Sequence, residues 1–282
     1  MRINIAKSAG FCFGVKRALD IAINTAKKNT NVVMLGDIVH NEEVTSQLSR
    51  YGIKKIKNLE YSKGKILIIR AHGEPLKIFK TARRMKYKVI DATCPMVKEI
   101  HKIAVKMEKK GYRIIVIGDK KHDEVLGISG QLKKKALVIE SALGLPFKKI
   151  KKIKKGCVVV QSTQKIKNTL EIVSVLKKHI PDLKFFNTIC KPTRIKQAEI
   201  ENMPNQNDCM IIIGSKKSAN TKRLYQISKS LNKKSWQVNS KEEINPSWFR
   251  NAKKVGITAG ASTPKETINE VVKQILSLST HP

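Results

Sequence analysis

Three cysteines occur at the same place in a repeated pattern, and this repeat constrains the fold more than any other feature of the chain. Twenty-four residues after each of these cysteines, an apolar run ends in a glycine, and four residues later stands a polar residue able to bind a ligand. The cysteines are Cys12, Cys94 and Cys190, the glycines Gly36, Gly118 and Gly214, and the polar residues His40, His122 and Ser218. Two intervals that occur three times indicate three copies of one structural unit, each with one cysteine.

Within each copy, short apolar runs alternate with amphipathic segments of helical period, a pattern typical of α/β units with parallel strands. Strands are predicted at residues 32–35, 65–69, 88–90, 113–117, 157–160, 210–213 and 255–258. A helix is expected through residues 197–203 and should end at Pro204. We therefore predict three α/β units over residues 13–93, 94–189 and 190–282, with residues 1–12 adding a strand to the third.

Polar residues follow a second strand in each copy. His72 comes after the strand at 65–69, Ser162 after the strand at 157–160, and Ser262 after the strand at 255–258. Ligands of parallel α/β sheets bind at the carboxyl ends of the strands. We expect three such crevices, facing a common axis, to place these loops and the three cysteines around one cavity.

The bulk composition limits the classes of function. The 282 residues carry a net charge of +35, yet lysine supplies 47 of the 57 basic residues and aromatic residues make up only 5%. Nucleic-acid recognition relies on arginine and on interleaved aromatic side chains, so a nucleic-acid partner is disfavoured. Five scattered cysteines indicate reduced thiols. With neither a signal peptide nor an apolar run long enough to span a membrane, we predict a soluble, cytoplasmic protein without a membrane partner.

The three repeated cysteines are too far apart in sequence for a local zinc site, which needs closely paired ligands. Converging from three units, they could hold three irons of a [4Fe–4S] cluster and leave the fourth iron open to a substrate. The alternative is that they are small buried hydrophobic residues, as free cysteines usually are, but the repeated spacing favours ligation. Cys157 and Cys209 lack the spacing and begin apolar strands, so they are expected in the core.

The strand-end loops offer hydrogen-bond donors suited to an anion such as a diphosphate. The expected donors are His40, His72, His122, Ser218, Asn220 and Ser262. A single loop histidine is usually a solvated side chain, but three at equivalent strand ends favour a binding role. Glu124, two residues after His122, is the one acid placed to give a proton in this cavity; the alternative is a surface glutamate.

These residues fall in motifs that resemble the LytB family of reductases, which act on 4-hydroxy-3-methylbut-2-enyl diphosphate. The motifs span residues 9–264 and read Ala-Gly-Phe-Cys12-Phe-Gly-Val, Ile-Val-His40-Asn, Arg-Ala-His72-Gly, Asp-Ala-Thr-Cys94-Pro, His122-x-Glu124-Val-x-Gly-x-x-Gly-Gln, Thr-x-Cys190, Gly-Ser-x-x-Ser218-x-Asn220-Thr-x-Arg-Leu and Thr-Ala-Gly-Ala-Ser262. Each motif alone is weak, but together they are specific.

The resemblance implies a trefoil of three α/β units around one [4Fe–4S] cluster bound by Cys12, Cys94 and Cys190. It implies removal of the substrate's allylic hydroxyl with two electrons and two protons, giving isopentenyl and dimethylallyl diphosphate in the last step of the non-mevalonate pathway. Glu124 corresponds to the proton donor, with Ser162 and His122 beside it in the catalytic set. The residues that correspond to the substrate-binding set are His40, His72, His122, Ser162, Ser218, Ala219, Asn220 and Ser262, with Ser162 and its hydroxyl at the substrate alcohol.

Four positions depart from the family pattern. Ser162 replaces a threonine, keeping the hydroxyl but losing a methyl group, and Asp123 stands where proline is common. Ala219 replaces a serine and can still offer its backbone N–H, whereas Pro192, after the third cysteine, has no N–H to give to a sulfide.

Other classes of function remain as alternatives. A non-catalytic iron–sulfur or zinc module, on RNA for example, would not need Glu124, Ser162 and anion-binding loops at the same strand ends. A cysteine-nucleophile hydrolase would need one cysteine and an oriented base. For the reductase, the basic surface predicts an acidic electron donor such as a ferredoxin or flavodoxin, and we expect a monomer or weak dimer.

Overall fold

The computed structural model describes residues 1–278, and its strands are short, from three to six residues. In chain order they are β1 (Arg2–Ile5), β2 (Val32–Leu35), β3 (Lys54–Ile56), β4 (Ile66–Ile69), β5 (Lys88–Asp91), β6 (Arg113–Ile117), β7 (Leu137–Ile139), β8 (Lys155–Val160), β9 (Asp182–Phe185), β10 (Cys209–Ile213), β11 (Ser235–Val238) and β12 (Lys254–Ala259).

Helices alternate with these strands along the chain. They are α1 (Phe13–Lys28), α2 (Glu42–Arg50), α3 (Leu76–Arg84), α4 (Pro95–Lys109), α5 (Asp123–Ser129), α6 (Phe147–Ile150), α7 (Ile166–His179), α8 (Lys191–Asn202), α9 (Ala219–Leu231) and α10 (Lys265–Ser277). Among the described residues, no helix has both the length and the apolar character needed to cross a membrane.

The strands pair in parallel and form three four-stranded sheets with the same internal order. The first sheet is β5-β4-β2-β3, the second β9-β8-β6-β7 and the third β1-β12-β10-β11. In each sheet one edge strand leads into a cysteine, and the two central strands end in the polar loops. The predicted fold class, α/β with three similar units, is confirmed, whereas the predicted unit boundaries remain a prediction.

The chain divides into two compact units by the density of its internal contacts. The first compact unit contains residues 1–16, 39–47 and those from 191 onward, and it includes the third sheet. The second compact unit contains residues 17–38 and 48–190, and it includes the first and second sheets. Because β1 pairs with β12, the first and last strands of the described residues lie side by side within the first compact unit.

The second sheet is covered on both faces, so its central strands carry no charged residue after their first positions, Arg113 and Lys155. Alternate residues of β6 and β8 point to opposite faces. One face packs against α7 through Ile172 and Leu176. The other packs against α4 through Ile100 and against α5 through Val125. Full burial of such side chains contributes about 1.5–3 kcal/mol each, which makes these strands a rigid base for the loops at their ends.

The third sheet repeats this plan. Ile257 of β12 and Val271 of α10 share a buried cluster on one face. Ile212 of β10 lies on the other face with Ile200 of α8 and Leu224 of α9. In the first sheet, buried residues of β2 and β4 pack against α3 in the same way. Each of the three sheets therefore carries its own core.

The predicted strand positions agree with the structure to within a residue or two, but four edge strands were not predicted. These are β3, β7, β9 and β11. The predicted helix at 197–203 is too short at its start, since α8 begins directly after Cys190, and Pro204 lies in a 3₁₀ turn (Met203–Gln206) that follows it. The earlier start of α8 matters for the site, because it puts Cys190 at a helix N-terminus.

The three glycines of the repeat are required for two different physical reasons. Gly36 and Gly214 have φ angles of +73° and +136°, which side-chain-bearing residues rarely adopt. Gly118 has no such angle, but a Cβ there would lie 2.7 Å from Val125 and 2.8 Å from Gln161. In all three units a residue with a side chain would therefore be unfavourable where the chain leaves the sheet.

Candidate active site

The backbone of each repeated cysteine is fixed by the same hydrogen bond. The N–H of Cys12 donates to the Ala261 carbonyl at 3.1 Å. The N–H groups of Cys94 and Cys190 donate to the carbonyls of Ala71 and Ser162, each at 3.0 Å. Every acceptor lies two residues beyond the end of a central strand (β12, β4 or β8). The three cysteines therefore occupy equivalent positions relative to their own sheets.

Each repeated cysteine also stands at the start of a long helix. α1, α4 and α8 begin at the residue after the cysteine and contain 16, 15 and 12 residues. The unpaired N–H groups at a helix N-terminus favour negatively charged ligands such as thiolates. All three side chains are partly exposed.

The other two cysteines differ in position and in burial. Cys157 and Cys209 lie inside β8 and β10 with no exposed surface, as predicted. Burial raises the pKa of the Cys157 thiol to about 12 and that of Cys209 to about 11. These two thiols are unsuited to bind a metal, whereas three equivalent, accessible thiols on one chain are a donor set that fits an iron–sulfur cluster.

The residues that follow the repeated glycines lie at or next to helix N-termini. His122 is the N-cap of α5, and its Nδ1 accepts a hydrogen bond from the N–H of Glu124 at 3.1 Å. Ser218 caps α9 by accepting from the Thr221 N–H at 3.3 Å. With Nδ1 accepting, a neutral His122 ring carries its hydrogen on Nε2 and offers it as a donor.

His40 departs from this pattern by one residue. In α2 the neighbouring Asn41 acts as the cap, its Oδ1 accepting from the Val44 N–H at 3.0 Å. The carbonyl of His40 accepts a long hydrogen bond of 3.5 Å from the Ser262 hydroxyl. Within the first compact unit, two of the predicted anion-binding loops are thus in contact.

Asn220, in the same compact unit, has a buried side-chain donor that no described residue satisfies. Its side chain is only 4% exposed, yet its Nδ2 has no hydrogen-bond partner among the described residues. A buried amide donor without a partner costs free energy, so its retention indicates a ligand that accepts the hydrogen bond. Ala219 opens α9 beside it, at an N-terminus suited to an anion.

In the second compact unit, His72 and His122 pack edge to face, with ring centroids 5.3 Å apart. The two rings come from different sheets, since His72 follows β4 and His122 follows β6. Gly127 of α5 lies against the His72 loop, since a Cβ built there would be in ordinary van der Waals contact, 3.5 Å from the backbone of His72. The structure therefore brings together two predicted donors that lie fifty residues apart in sequence.

Glu124 is buried, with 1% of its surface exposed, and both of its carboxyl oxygens are hydrogen-bonded to Ser162. The Ser162 N–H donates to Oε1 at 2.6 Å, and the Ser162 hydroxyl donates to Oε2 at 2.7 Å. The carbonyl of Ser162 in turn accepts from the N–H of Cys190. A continuous hydrogen-bonded path thus connects the acid, a hydroxyl and the backbone of a candidate cluster ligand.

Lys196, a buried lysine on α8, was not predicted from the sequence. It is 2% exposed, and its Nζ donates to the carbonyls of Gly10 and Ala259 at 3.1 Å each and to that of Ser8. This ammonium group binds the loop that leads to Cys12 to the end of β12. The signal was present in the sequence, because Thr193, Lys196 and Gln197 share the buried face of α8 with Ile200.

The geometry defines a class of protein: a three-sheet α/β protein with one accessible cysteine per sheet, donors for an anion at the strand ends, and a buried acid. The sequence matches the LytB protein family over residues 3–276, so the chain belongs to that family.

Relatives and solved structures agree with this assignment. The chain is 39% identical over 283 residues to the 4-hydroxy-3-methylbut-2-enyl diphosphate reductase of Geobacter metallireducens, covering 99% of each chain. It is 39% identical over 277 residues to the enzyme of that name from Aquifex aeolicus, covering 97% of this chain and 95% of the relative.

Two solved structures of this reductase are similar in fold. One, described as the terminal enzyme of the non-mevalonate pathway, is 37% identical with a TM-score of 0.70, covering 98% of this chain and 100% of that one. The reductase from Plasmodium falciparum is 29% identical with a TM-score of 0.89, covering 96% of this chain and 87% of that one.

His101, on α4, should make the protein sensitive to acid. Burial lowers the pKa of His101 to about 4, with a smaller contribution from Lys98 that the charge of Asp91 opposes. Its Nε2 is buried without a hydrogen-bond partner among the described residues. The unfolded chain binds a proton at His101 more readily than the folded protein does. The contribution of the neutral ring to the free energy of unfolding is therefore present above pH 6.5 and is lost as the pH falls toward 4.

Between pH 6.5 and 4, we expect the free energy of unfolding to fall by about 2–3 kcal/mol less in His101→Gln than in the unchanged protein. Urea unfolding at several pH values measures this, with Lys102→Gln on the exposed side of α4 as the control. Parallel pH profiles for His101→Gln and the unchanged protein would contradict the assignment.

Proposed function

We propose that this chain is a reductase that removes the allylic hydroxyl of 4-hydroxy-3-methylbut-2-enyl diphosphate. The C–O bond breaks, two electrons and two protons are taken up, and water leaves, giving isopentenyl or dimethylallyl diphosphate in the terminal step of the non-mevalonate pathway. Membership of the LytB family supports this proposal. The observation that carries it is the path from buried Glu124 through Ser162 to Cys190.

Cys12, Cys94 and Cys190 would hold one [4Fe–4S] cluster through three of its irons. When bound, the cluster supplies the electrons and a Lewis-acidic iron. The equivalent hydrogen bonds of the three cysteines and their helix N-termini support this assignment. Pro192 lies in the first turn of α8 and has no N–H, so hydrogen bonds to the sulfur atoms near Cys190 must come from other groups.

The diphosphate would be held by donors from the strand-end loops. His122 offers Nε2–H, Asn220 offers its buried Nδ2, and the start of α9 offers the N–H of Ala219. His40, His72, Ser218 and Ser262 complete the proposed set. Neutral donors and helix N-termini bind an anion through fixed hydrogen bonds, so the substrate is oriented by its diphosphate.

Glu124 would deliver the proton that lets the hydroxyl leave as water. Desolvation and the like charge of a nearby diphosphate both favour a protonated carboxyl. When the carboxyl is protonated, its Oε2–H donates to the Ser162 hydroxyl 2.7 Å away, and that hydroxyl can then donate its own proton to the substrate oxygen. Ser162 therefore acts as the link between the acid and the leaving group.

The cluster is tested by replacing cysteines. Protein purified without oxygen should be brown and contain close to four irons and four sulfides per chain. Cys12→Ser, Cys94→Ser and Cys190→Ser should each bleach it, because one ligand is lost, whereas Cys157→Ala and Cys209→Ala should keep the colour and lose only packing. Iron and sulfide assays with a visible spectrum measure this outcome. A colourless protein with stoichiometric zinc would refute the proposal.

The proton donor is tested by Glu124→Gln, which keeps the size of the side chain but cannot deliver the proton. General acids contribute about 10²–10⁴ in rate, so turnover should fall at least about a hundredfold. Cluster content and binding of the diphosphate substrate should be retained. Glu171→Gln, on the exposed side of α7, is the matched control. Near-normal turnover of Glu124→Gln with an intact cluster would place the acid elsewhere.

The electron donor is proposed to be an acidic carrier protein such as a ferredoxin or flavodoxin. The net charge of +35 favours an acidic partner, and α4, which begins directly after Cys94, exposes Lys102, Lys106 and Lys109. Such steering is screened over about 8–10 Å at physiological salt. Turnover with the carrier should therefore fall with added salt, while turnover with a small chemical reductant should change much less.

Charge reversal at the same surface makes this prediction specific. Replacing Lys102, Lys106 and Lys109 by glutamate should raise KM for the carrier at least about tenfold, because repulsion replaces attraction. The control replaces Lys149, Lys152 and Lys154, which lie by the amino end of β8, away from Ser162. Equal effects of the two triple variants would argue against docking on α4.

A further inference from the structure

Arg70 binds two carboxylates at the base of the loop that carries His72. Its Nη1 donates a hydrogen bond to Asp123 Oδ2 at 2.6 Å. Its Nε lies 2.5 Å from Glu74 Oε1, but this contact is an ion pair without hydrogen-bond geometry. The side chains of Arg70, Asp123 and Glu74 are only 15%, 20% and 4% exposed, so solvent screens them weakly.

Asp123 connects two loops that both serve the proposed diphosphate site. It is the first residue of α5 and lies between His122 and Glu124. Arg70 directly follows β4 and precedes His72 by two residues. The Arg70–Asp123 pair therefore joins the loop with one histidine to the helix start with the other, where the two rings pack at 5.3 Å.

The same segment is fixed again at the far end of α5. The N–H of Leu76 donates to the Gly130 carbonyl at 3.1 Å, and Gln131 Nε2 donates to the Glu74 carbonyl at 2.8 Å. These bonds hold residues 74–76 against the C-terminal end of α5. At the end of α5 that faces the histidines, the Arg70–Asp123 hydrogen bond is the corresponding fixed point.

Asp123 is the carboxylate that hydrogen-bonds to Arg70, whereas Glu74 meets the guanidinium only in an ion pair. Burial raises the pKa of Glu74, and the negative charge of Asp123 acts in the same direction, while Arg70 opposes both. Through its hydrogen bond, the guanidinium neutralises the charge of Asp123. The carboxylate beside His122 is then compensated, so it does not repel an anionic substrate.

We infer that Asp123 is a positioning residue that, through its bond to Arg70, holds His72 and His122 in the arrangement that binds the substrate's diphosphate. This inference rests on the proposed function. In the family pattern proline is common at this position, and its fixed φ restrains the first turn of the helix. In this chain, the ion pair between Arg70 and Asp123 restrains the same turn.

The test compares Asp123→Asn, Arg70→Lys and the double variant in the cluster-loaded protein. Asp123→Asn keeps the shape of the side chain but removes its charge, and Arg70→Lys keeps a charge but loses the planar fork. Each should raise KM for the substrate and the Kd for inorganic diphosphate about tenfold, as expected for loss of a partly buried charge-assisted hydrogen bond. Turnover at saturating substrate with a chemical reductant should change less than about twofold, because the acid and the cluster ligands are untouched.

In the double variant, KM and Kd should exceed those of either single variant by no more than about twofold, since both substitutions remove the same interaction. Asp123→Glu, which keeps the charge, should recover most of the affinity. Glu99→Gln, which breaks an exposed ion pair with Lys102 on α4, is the control and should change neither constant.

The outcomes separate this inference from the proposed function. If the unchanged protein turns over the substrate and binds diphosphate, but Asp123→Asn leaves KM and Kd as they were, the positioning role is refuted. A lower melting temperature with unchanged Kd would also refute it, because the contact would then serve stability alone. If the unchanged protein has no reductase activity, the proposed function fails first, whatever the variants show.

Discussion

The site depends on one repeated backbone interaction: the hydrogen bond from each cysteine N–H to the carbonyl two residues beyond a central strand. This bond makes the position of a cysteine a consequence of strand register. A parallel strand that slipped by one residue would exchange the side chains that pack on its two faces, and closely packed cores on both faces oppose such a slip. The apolar cores above and below β6 and β8 therefore also fix the chemistry at their ends.

Much of the fold could be predicted from sequence because the informative strands are the buried ones. β6 is apolar at four of its five positions, and β10 at all five, so short apolar runs identified both. The edge strands have one neighbour and partly exposed faces. β9, for example, reads Asp-Leu-Lys-Phe and shows no apolar run, although it leads to Cys190 just as β5 leads to Cys94.

The candidate site was predictable to the extent that it repeats. Spacing found the cysteines and the residues at 40, 122 and 218, while the placement of Glu124 next to Ser162 depends on a contact across 38 residues that no local pattern encodes. Lys196 and Arg70 were overlooked for a related reason. A basic residue in a chain with 57 of them is normally a solvated side chain, and only burial distinguishes these two.

The pairing of β1 with β12 has a consequence for how the chain is made. During synthesis β1 emerges first, but the strand beside which it pairs, Lys254–Ala259, emerges almost last. Until then the N-terminal residues have no sheet to join, and the carbonyl that fixes Cys12, on Ala261, does not yet exist. The first two sheets contain only residues from 32 to 185 and can form while the ribosome is still at work. Chains that have not yet reached Ala261 therefore lack the bond that anchors Cys12, so the proposed set of three cluster ligands is complete only after the third sheet has closed.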